Sequence, residues 1–390
     1  MRRLALILAL PALLAGPMEA AEPILLGAIN SRTGIRAAEG TAVQQGIGLA
    51  IEEANARGGV GGRPIRLIER DDEGKPERAI AAAEELTARH RVAALVGGYV
   101  DSLVAPVSEV AERTRTPYLA TASLDERLTA RGYRHFFRVS SLESYVRVTV
   151  GIVREVFRPQ RVAILHSTTP GASQLARRQR EGLLAAGIAV PVFEPFTPGL
   201  ADFSPLLARV RDRGAEVLLS DTFFADHLLI VRQMAGAGIR VKAFLGAFGL
   251  EFPAVVGELG AASEELFGTT AWQPGVFVPG DEDRSRAFAR AFRARFGRDP
   301  IPLAMHGYAA ATALLAALEA VVARGEPVSG PAVRDALARV DVETPLGRVA
   351  FDGRGDPRFY ERAVVQIQDG RHVVVYPPPR AQAPPRYPAP

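Results

Sequence analysis

The chain contains no cysteine. That excludes disulfides, thiolate-bound metals and a cysteine nucleophile, and it is compatible with an oxidising compartment without requiring one. Lysine is nearly missing: only Lys75 and Lys242 occur, so the 47 basic residues facing 43 acidic ones are almost all arginine. These arginines are scattered. Arg177, Arg178 and Arg180 read as the solvated face of a helix, and with no basic block to follow a phosphate backbone, no nucleic-acid partner is expected. The six histidines show no H-E-x-x-H or other ligand spacing, and no metal site or cofactor is expected. There is no Gly-x-Ser-x-Gly elbow. Gly58-Gly59-Val60-Gly61-Gly62 follows a helix instead of opening one after a strand, so it is neither a dinucleotide fingerprint nor a P-loop. An enzyme is therefore the weakest rival, and no catalytic residue is nominated. Beyond the N-terminus no window reads as a membrane span, because Arg, Asp or Glu punctuates every later helix.

What remains is an ordinary globular composition, 48% hydrophobic and 23% charged over 390 residues, long enough for two lobes. Residues 1–21 read as a secretory signal. Met1-Arg2-Arg3 is a basic start, Leu4 to Leu14 an apolar run too short to span a bilayer, and Ala20 or Ala21 a small-residue cleavage point. Past it, apolar strands alternate with helical periodicity: Ile24 to Ile29 (strand), Ala42 to Ala56 (helix), Ile65 to Ile68 (strand), Ala79 to Ala88 (helix), then Val92 to Val96, a strand ending in Gly97-Gly98. The rhythm continues to about residue 245, which predicts α/β architecture with parallel sheets covered by helices on both faces. Asp369-Gly370 between two apolar runs predicts a hairpin. The Pro-rich end, 377–390, is expected to be disordered.

Several segments carry a resemblance. The strongest is Gly46-Ile47-Gly48-Leu49-Ala50-Ile51-Glu52-Glu53-Ala54-Asn55-Ala56-Arg57-Gly58-Gly59-Val60-Gly61-Gly62. With it stand Ser31-Arg32-Thr33-Gly34, Asp71-Asp72 before Pro76, the strand into Gly97-Gly98, and Thr344-Pro345-Leu346-Gly347-Arg348-Val349-Ala350-Phe351-Asp352. Over nearly its full length past the signal, the chain resembles the type I periplasmic binding proteins of the branched-chain amino acid ABC transporter class (Leu/Ile/Val-binding-protein-like). The resemblance implies two doubly wound parallel-sheet lobes joined by a three-segment hinge. Residues 22–138 plus 273–340 would form lobe 1 and 139–272 plus 341–376 lobe 2, with crossovers near Arg138, Trp272 and Val340. It implies a periplasmic, non-enzymatic monomer that closes on a small molecule, an amino acid or an aromatic or aliphatic carboxylate, and presents it to ABC permease subunits. The same fold can instead serve as a ligand-sensing receptor subunit.

Ligands of open α/β sheets bind beyond the carboxyl ends of strands, so the loops there supply the candidates. Tyr99, Asp101 and Ser102 open a helix, where amides and a hydroxyl suit a carboxylate, although Asp101 or Ser102 can equally be a helix cap. Ala122 and Ser123 stand where the family offers amides and a hydroxyl to the same ligand group. Pro170 and Gly171 stand where many relatives carry a Tyr-Gly pair. Asp221, Phe223 and Phe224, and Ala247 and Phe248, complete the second-lobe loops, and Ala247-Phe248 occupies the position of a family acid. An α-amino acid needs an acceptor for its ammonium, which Asp101 or Asp221 would have to supply. The phenylalanines and Tyr99 point instead to a flat or greasy carboxylate, with burial at a strand end as the plain structural alternative for each phenylalanine.

Overall fold

The computed structural model describes residues 21–276 and 280–389; the expected signal segment lies almost wholly outside them. Five strands, β1 (Ile24–Asn30), β2 (Ile65–Asp71), β3 (Ala94–Tyr99), β4 (Tyr118–Ala122) and β5 (Phe136–Arg138), form an all-parallel sheet in the order β2-β1-β3-β4-β5. Successive side chains enter opposite cores, as the two-residue period of a strand requires. Val96, Leu119 and Phe137 join one core, Leu95, Tyr118 and Phe136 the other.

A second sheet begins with five parallel strands, β6 (Arg161–Ser167), β7 (Ala189–Phe196), β8 (Val217–Asp221), β9 (Ala243–Gly246) and β10 (Phe267–Thr270). Two late strands follow a small separate hairpin of β11 (Asp341–Thr344) and β12 (Gly347–Ala350). They are β13 (Ala363–Gln368), antiparallel to β10, and β14 (Arg371–Tyr376), antiparallel to β13, which extend the second sheet. The full order is β14-β13-β10-β9-β8-β6-β7. Asp369 and Gly370 both have positive φ (52° and 71°), as the expected tight hairpin demands. The two α/β lobes are thus a parallel sheet and a mixed one, each covered by helices on both faces.

Three findings depart from the sequence reading. Helix Pro302–Ala323 is long and apolar enough, by composition, to cross a membrane. Fifteen of its residues are nonetheless buried, twelve of them in the first core. It lies against helix Ala37–Ala56 so closely that a Cβ at Gly307 would stand 2.2 Å from the Val43 carbonyl oxygen, and one at Gly46 1.8 Å from that of Ala304. Second, the β11–β12 hairpin was expected to open lobe 2. Instead Leu346, Val349 and Phe351 are buried in the first core, with the Phe351 ring 5.2 Å from that of Phe137. Third, the tail through residue 389 is packed, not disordered. Tyr387 stacks on Phe157 at 4.8 Å, the Gln366 and Gln368 side-chain amides donate to the carbonyls of Arg386 and Pro384, and Arg386 pairs with Asp369 at 2.7 Å. The Pro-rich tail here supplies backbone acceptors for buried glutamines, a role that composition alone does not reveal.

Candidate functional site

The carboxyl ends of both sheets face one another across a cleft, and both strand orders reverse there, between β1 and β3 and between β6 and β8. The cleft holds about 670 Å³ of space outside the protein atoms, part of it open solvent, and its walls come from both lobes. Of the candidates, Tyr99, Asp101, Ala122, Ser123, Gly171, Phe223 and Phe248 line it. The other five do not. The Ser102 side chain is exposed, Pro170 sits just behind the rim, and Ala247 is buried beneath the loop. Phe224 turns away and stacks on Phe252 at 5.9 Å. Asp221 lies under the sheet end, accepting from Gln179 Nε2 at 3.2 Å, and burial pushes its carboxyl up to about 8.

The aromatic candidates form a continuous wall. Phe223 and Phe248 stack at 5.7 Å, Tyr145 meets Phe248 edge-on at 5.3 Å, and Tyr99 of the first lobe approaches Phe223 edge-on at 6.3 Å. Arg36, also from the first lobe, lies 3.6 Å above the Phe223 ring, an attraction between a cation and the negative ring face. Phe223 therefore ties the lobes together while lining the space between them.

The loop after β3 is held in an unfavourable shape. Val100, a β-branched residue, has φ 67°, a conformation such residues rarely adopt. Gly97 and Gly98 before it also have positive φ, and a Cβ on Gly98 would stand 2.2 Å from the Tyr118 hydroxyl. The result aims Asp101 into the cleft. Its Oδ1 accepts from the amides of Leu124 (2.7 Å) and Asp125 (2.8 Å). Its Oδ2 reaches the first turn of helix Pro170–Ala185 in the opposite lobe, at the spot a Cβ on Gly171 would fill. A carboxylate near a helix N-terminus is favourably placed, so the dipole of the far lobe's helix attracts Asp101 across the cleft. Burial raises its pKa, and the two amides oppose that rise. At the rim, Arg178 of the second lobe holds Glu126 of the first by both carboxylate oxygens at 2.9 Å.

A polar cluster that sequence reasoning missed closes the other end of the cleft: Glu251, His306, Tyr360 and Arg362. Arg362, 2% exposed, donates from Nη1 to Tyr360 Oη at 2.7 Å and from Nη2 to the Thr269 carbonyl and, at 3.2 Å, its hydroxyl. Its guanidinium lies 3.7 Å above the Tyr145 ring. His306 bonds the Pro302 carbonyl through Nδ1 and Tyr360 Oη through Nε2, both at 3.0 Å, and burial lowers its pKa to about 4. It is thus neutral, with the proton on Nδ1 and Nε2 accepting from the phenol. Glu251 Oε2 accepts from the Gly249 amide at 2.6 Å, and burial pushes this carboxyl up to about 7, with Arg362 opposing. Only the segment through residues 352–362, where the chain passes between lobes, brings Tyr360 and Arg362 here.

Nothing in this arrangement resembles a nucleophile with its base; it is an enclosure with aromatic walls and a few fixed polar groups. Residues 23–371 match the family model described as periplasmic binding protein. A leucine-, isoleucine-, valine-, threonine- and alanine-binding protein of Pseudomonas aeruginosa is 27% identical over 353 residues, 89% of this chain and 90% of that protein. Leu/Ile/Val-binding protein homolog 7 of Brucella melitensis is 26% identical over 95% of both chains. Among solved structures, the branched-chain amino acid transporter substrate-binding protein LivJ of Streptococcus pneumoniae, in complex with isoleucine, superposes with a TM-score of 0.80 at 21% identity, covering 90% of this chain and 97% of its own. A solute-binding protein of an ABC transporter from R. palustris, in complex with benzoate, does so with 0.78 at 17% identity, covering 90% and 95%. Two covered sheets facing an enclosed cleft, together with these matches, place the chain in the periplasmic binding protein family, among the non-enzymatic solute-binding proteins of the branched-chain amino acid transporter type.

Proposed function

We propose that this protein is the extracytoplasmic solute-binding component of an ABC importer, a monomer that takes a small carboxylate-bearing or amino-acid-like ligand between its lobes and offers the closed form to permease subunits. The observation that carries this reading is the Phe223 junction: one ring lines the cleft, meets Tyr99 and lies under Arg36, so lobe contact and solute enclosure share the same atoms. The names of its relatives agree, being those of amino-acid-binding proteins, and a fold neighbour encloses benzoate. The lobes hinge where the chain passes between them, near Arg138, near Trp272 and, later than Val340, through residues 352–362. Arg138 is buried and pairs with Asp356 at 2.6 Å, fastening the first passage to the third.

Ligand that prefers the closed form raises the melting temperature. A thermal-shift screen of amino acids, aliphatic acids and aromatic acids, repeated on Phe223→Ala and Phe248→Ala, tests the site. A solute whose shift disappears in both variants supports it. A solute that binds both as well as it binds the parent sinks it. Uptake by permease-bearing vesicles that depends on added protein tests the importer assignment.

A further inference from the structure

Several amides on the first-lobe side of the cleft are already engaged by the protein's own side chains. Leu124 and Asp125 donate to Asp101, and the Ser123 amide donates to Ser140 Oγ at 3.0 Å. The protein's own carboxylate stands beside these amides, so a second anion there would meet a like charge, even though Ser123 Oγ has no partner among the described residues.

At the other end the situation is reversed. Arg362 is buried, and among the described residues no carboxylate oxygen lies within 4.0 Å of it. Its Nε has no partner. A buried guanidinium with an unused donor, lining a cleft, is a costly arrangement unless something anionic arrives. It is also rigidly prepared: Thr269 and the Tyr360–His306 relay fix its plane, and Tyr145 supports it from one face. The aromatic wall starts at that ring, because Phe248 touches Tyr145 and Phe223 stacks on Phe248. Whatever is attached to a carboxylate on Arg362 meets rings at once. An α-ammonium there would instead face the guanidinium. Glu251, the one carboxyl among its charged neighbours, is turned toward the Gly249 amide and held largely protonated below neutral pH by burial, a weak partner for an ammonium.

We propose that Arg362 is the anion anchor of the cleft and that the solute is a planar aromatic monocarboxylate, its carboxylate accepting from Nε and its ring lying against Tyr145, Phe223 and Phe248. This rests on the cleft being the binding site. The test is calorimetric titration of the full-length protein with sodium benzoate, benzamide and L-leucine, then of Arg362→Gln and Phe248→Ala. Benzoate binds the parent protein about 10- to 100-fold more tightly than benzamide, the span of a charge-assisted bond, and Arg362→Gln erases that difference. Benzamide equalling benzoate on the parent, a comparison that needs no variant, overturns the proposal, as does L-leucine outcompeting benzoate. If L-leucine binding survives Arg362→Gln but fails in Phe248→Ala, the anchor is wrong and the cleft stands. Binding that survives both substitutions removes the cleft as well.

Discussion

Between pH 6.5 and 8 the solute-free protein is expected to lose stability as pH rises, the opposite of what acid-sensitive proteins do in that range. Burial raises Glu251 from 4.5 to about 7 and Asp221 from 3.8 to about 8. Each folded carboxyl holds a proton that its unfolded form has released. The stability they contribute is therefore complete below the unfolded values and is lost as pH climbs through the folded ones. Asp72 and Asp101, also raised by burial, act in the same direction. His227 and His306, lowered to about 4 by burial, work oppositely: their neutral folded forms favour the native state above 6.5 and cost stability as pH falls toward 4. The two sets offset one another between about 4.5 and 6.5, and above that the carboxyls act alone. From pH 6.5 to 8, Glu251 and Asp221 together remove about 2 kcal/mol by linkage. Calorimetric melting at half-unit steps should show the midpoint falling through this window by a few degrees. Glu251→Gln combined with Asp221→Asn keeps side-chain volume and the Gly249 and Gln179 contacts while removing the protons, and its midpoint should stay level. A parent midpoint that is flat or rising from 6.5 to 8, or a double variant that falls as steeply, refutes the reasoning.

Gly307→Ala forces a methyl group into the Val43 carbonyl and should destabilise the first lobe by about 1–3 kcal/mol, read by urea unfolding; an unchanged midpoint would mean that the two helices separate freely. Phe223→Ala removes the Tyr99, Phe248 and Arg36 contacts together and should weaken binding of any cleft solute by roughly tenfold or more, and because the ring is buried it should also lower stability by about 3 kcal/mol, read in the melting midpoint. Ending the chain at residue 376 strips Tyr387 from Phe157 and removes the Arg386 and Pro384 carbonyls to which Gln366 and Gln368 donate, so the second lobe should lose about 1–3 kcal/mol in thermal melts. Glu126→Gln breaks the rim pair with Arg178 and should shift the solute-free protein toward a more open form, visible as a larger radius of gyration in X-ray scattering at low salt.

The alternation of strands and helices was legible because burial on both faces leaves continuous apolar runs such as Val162 to Leu165, and the Asp369-Gly370 hairpin because its turn type needs those residues. Loop positions after β3, β4, β8 and β9 were equally legible, which is why Tyr99, Ala122, Ser123, Phe223 and Phe248 meet. Side-chain direction within a loop was not: Phe223 and Phe224 are neighbours that point apart at a helix start, and Ser102 faces water while Asp101 faces the cleft. Nor could spacing reveal Arg362, Tyr360 or His306, which converge from a late crossing and a helix over 50 residues earlier in the chain. Polar clusters built by long-range crossings leave no local pattern.

The packing of helix Pro302–Ala323 on helix Ala37–Ala56 has a consequence for the order of assembly. All five strands of the first sheet are present by residue 138, yet one face of that sheet is covered only in part, by helix Ala37–Ala56, until residues beyond 302 arrive. Such late, sequence-distant closure makes folding slow. A chain stopped before residue 302 would hold every strand of its first lobe and still not finish it, while the five parallel strands of the second sheet could already be paired. The first lobe thus closes only after most of the second has been made, and the second closes later still, when β13 and β14 arrive.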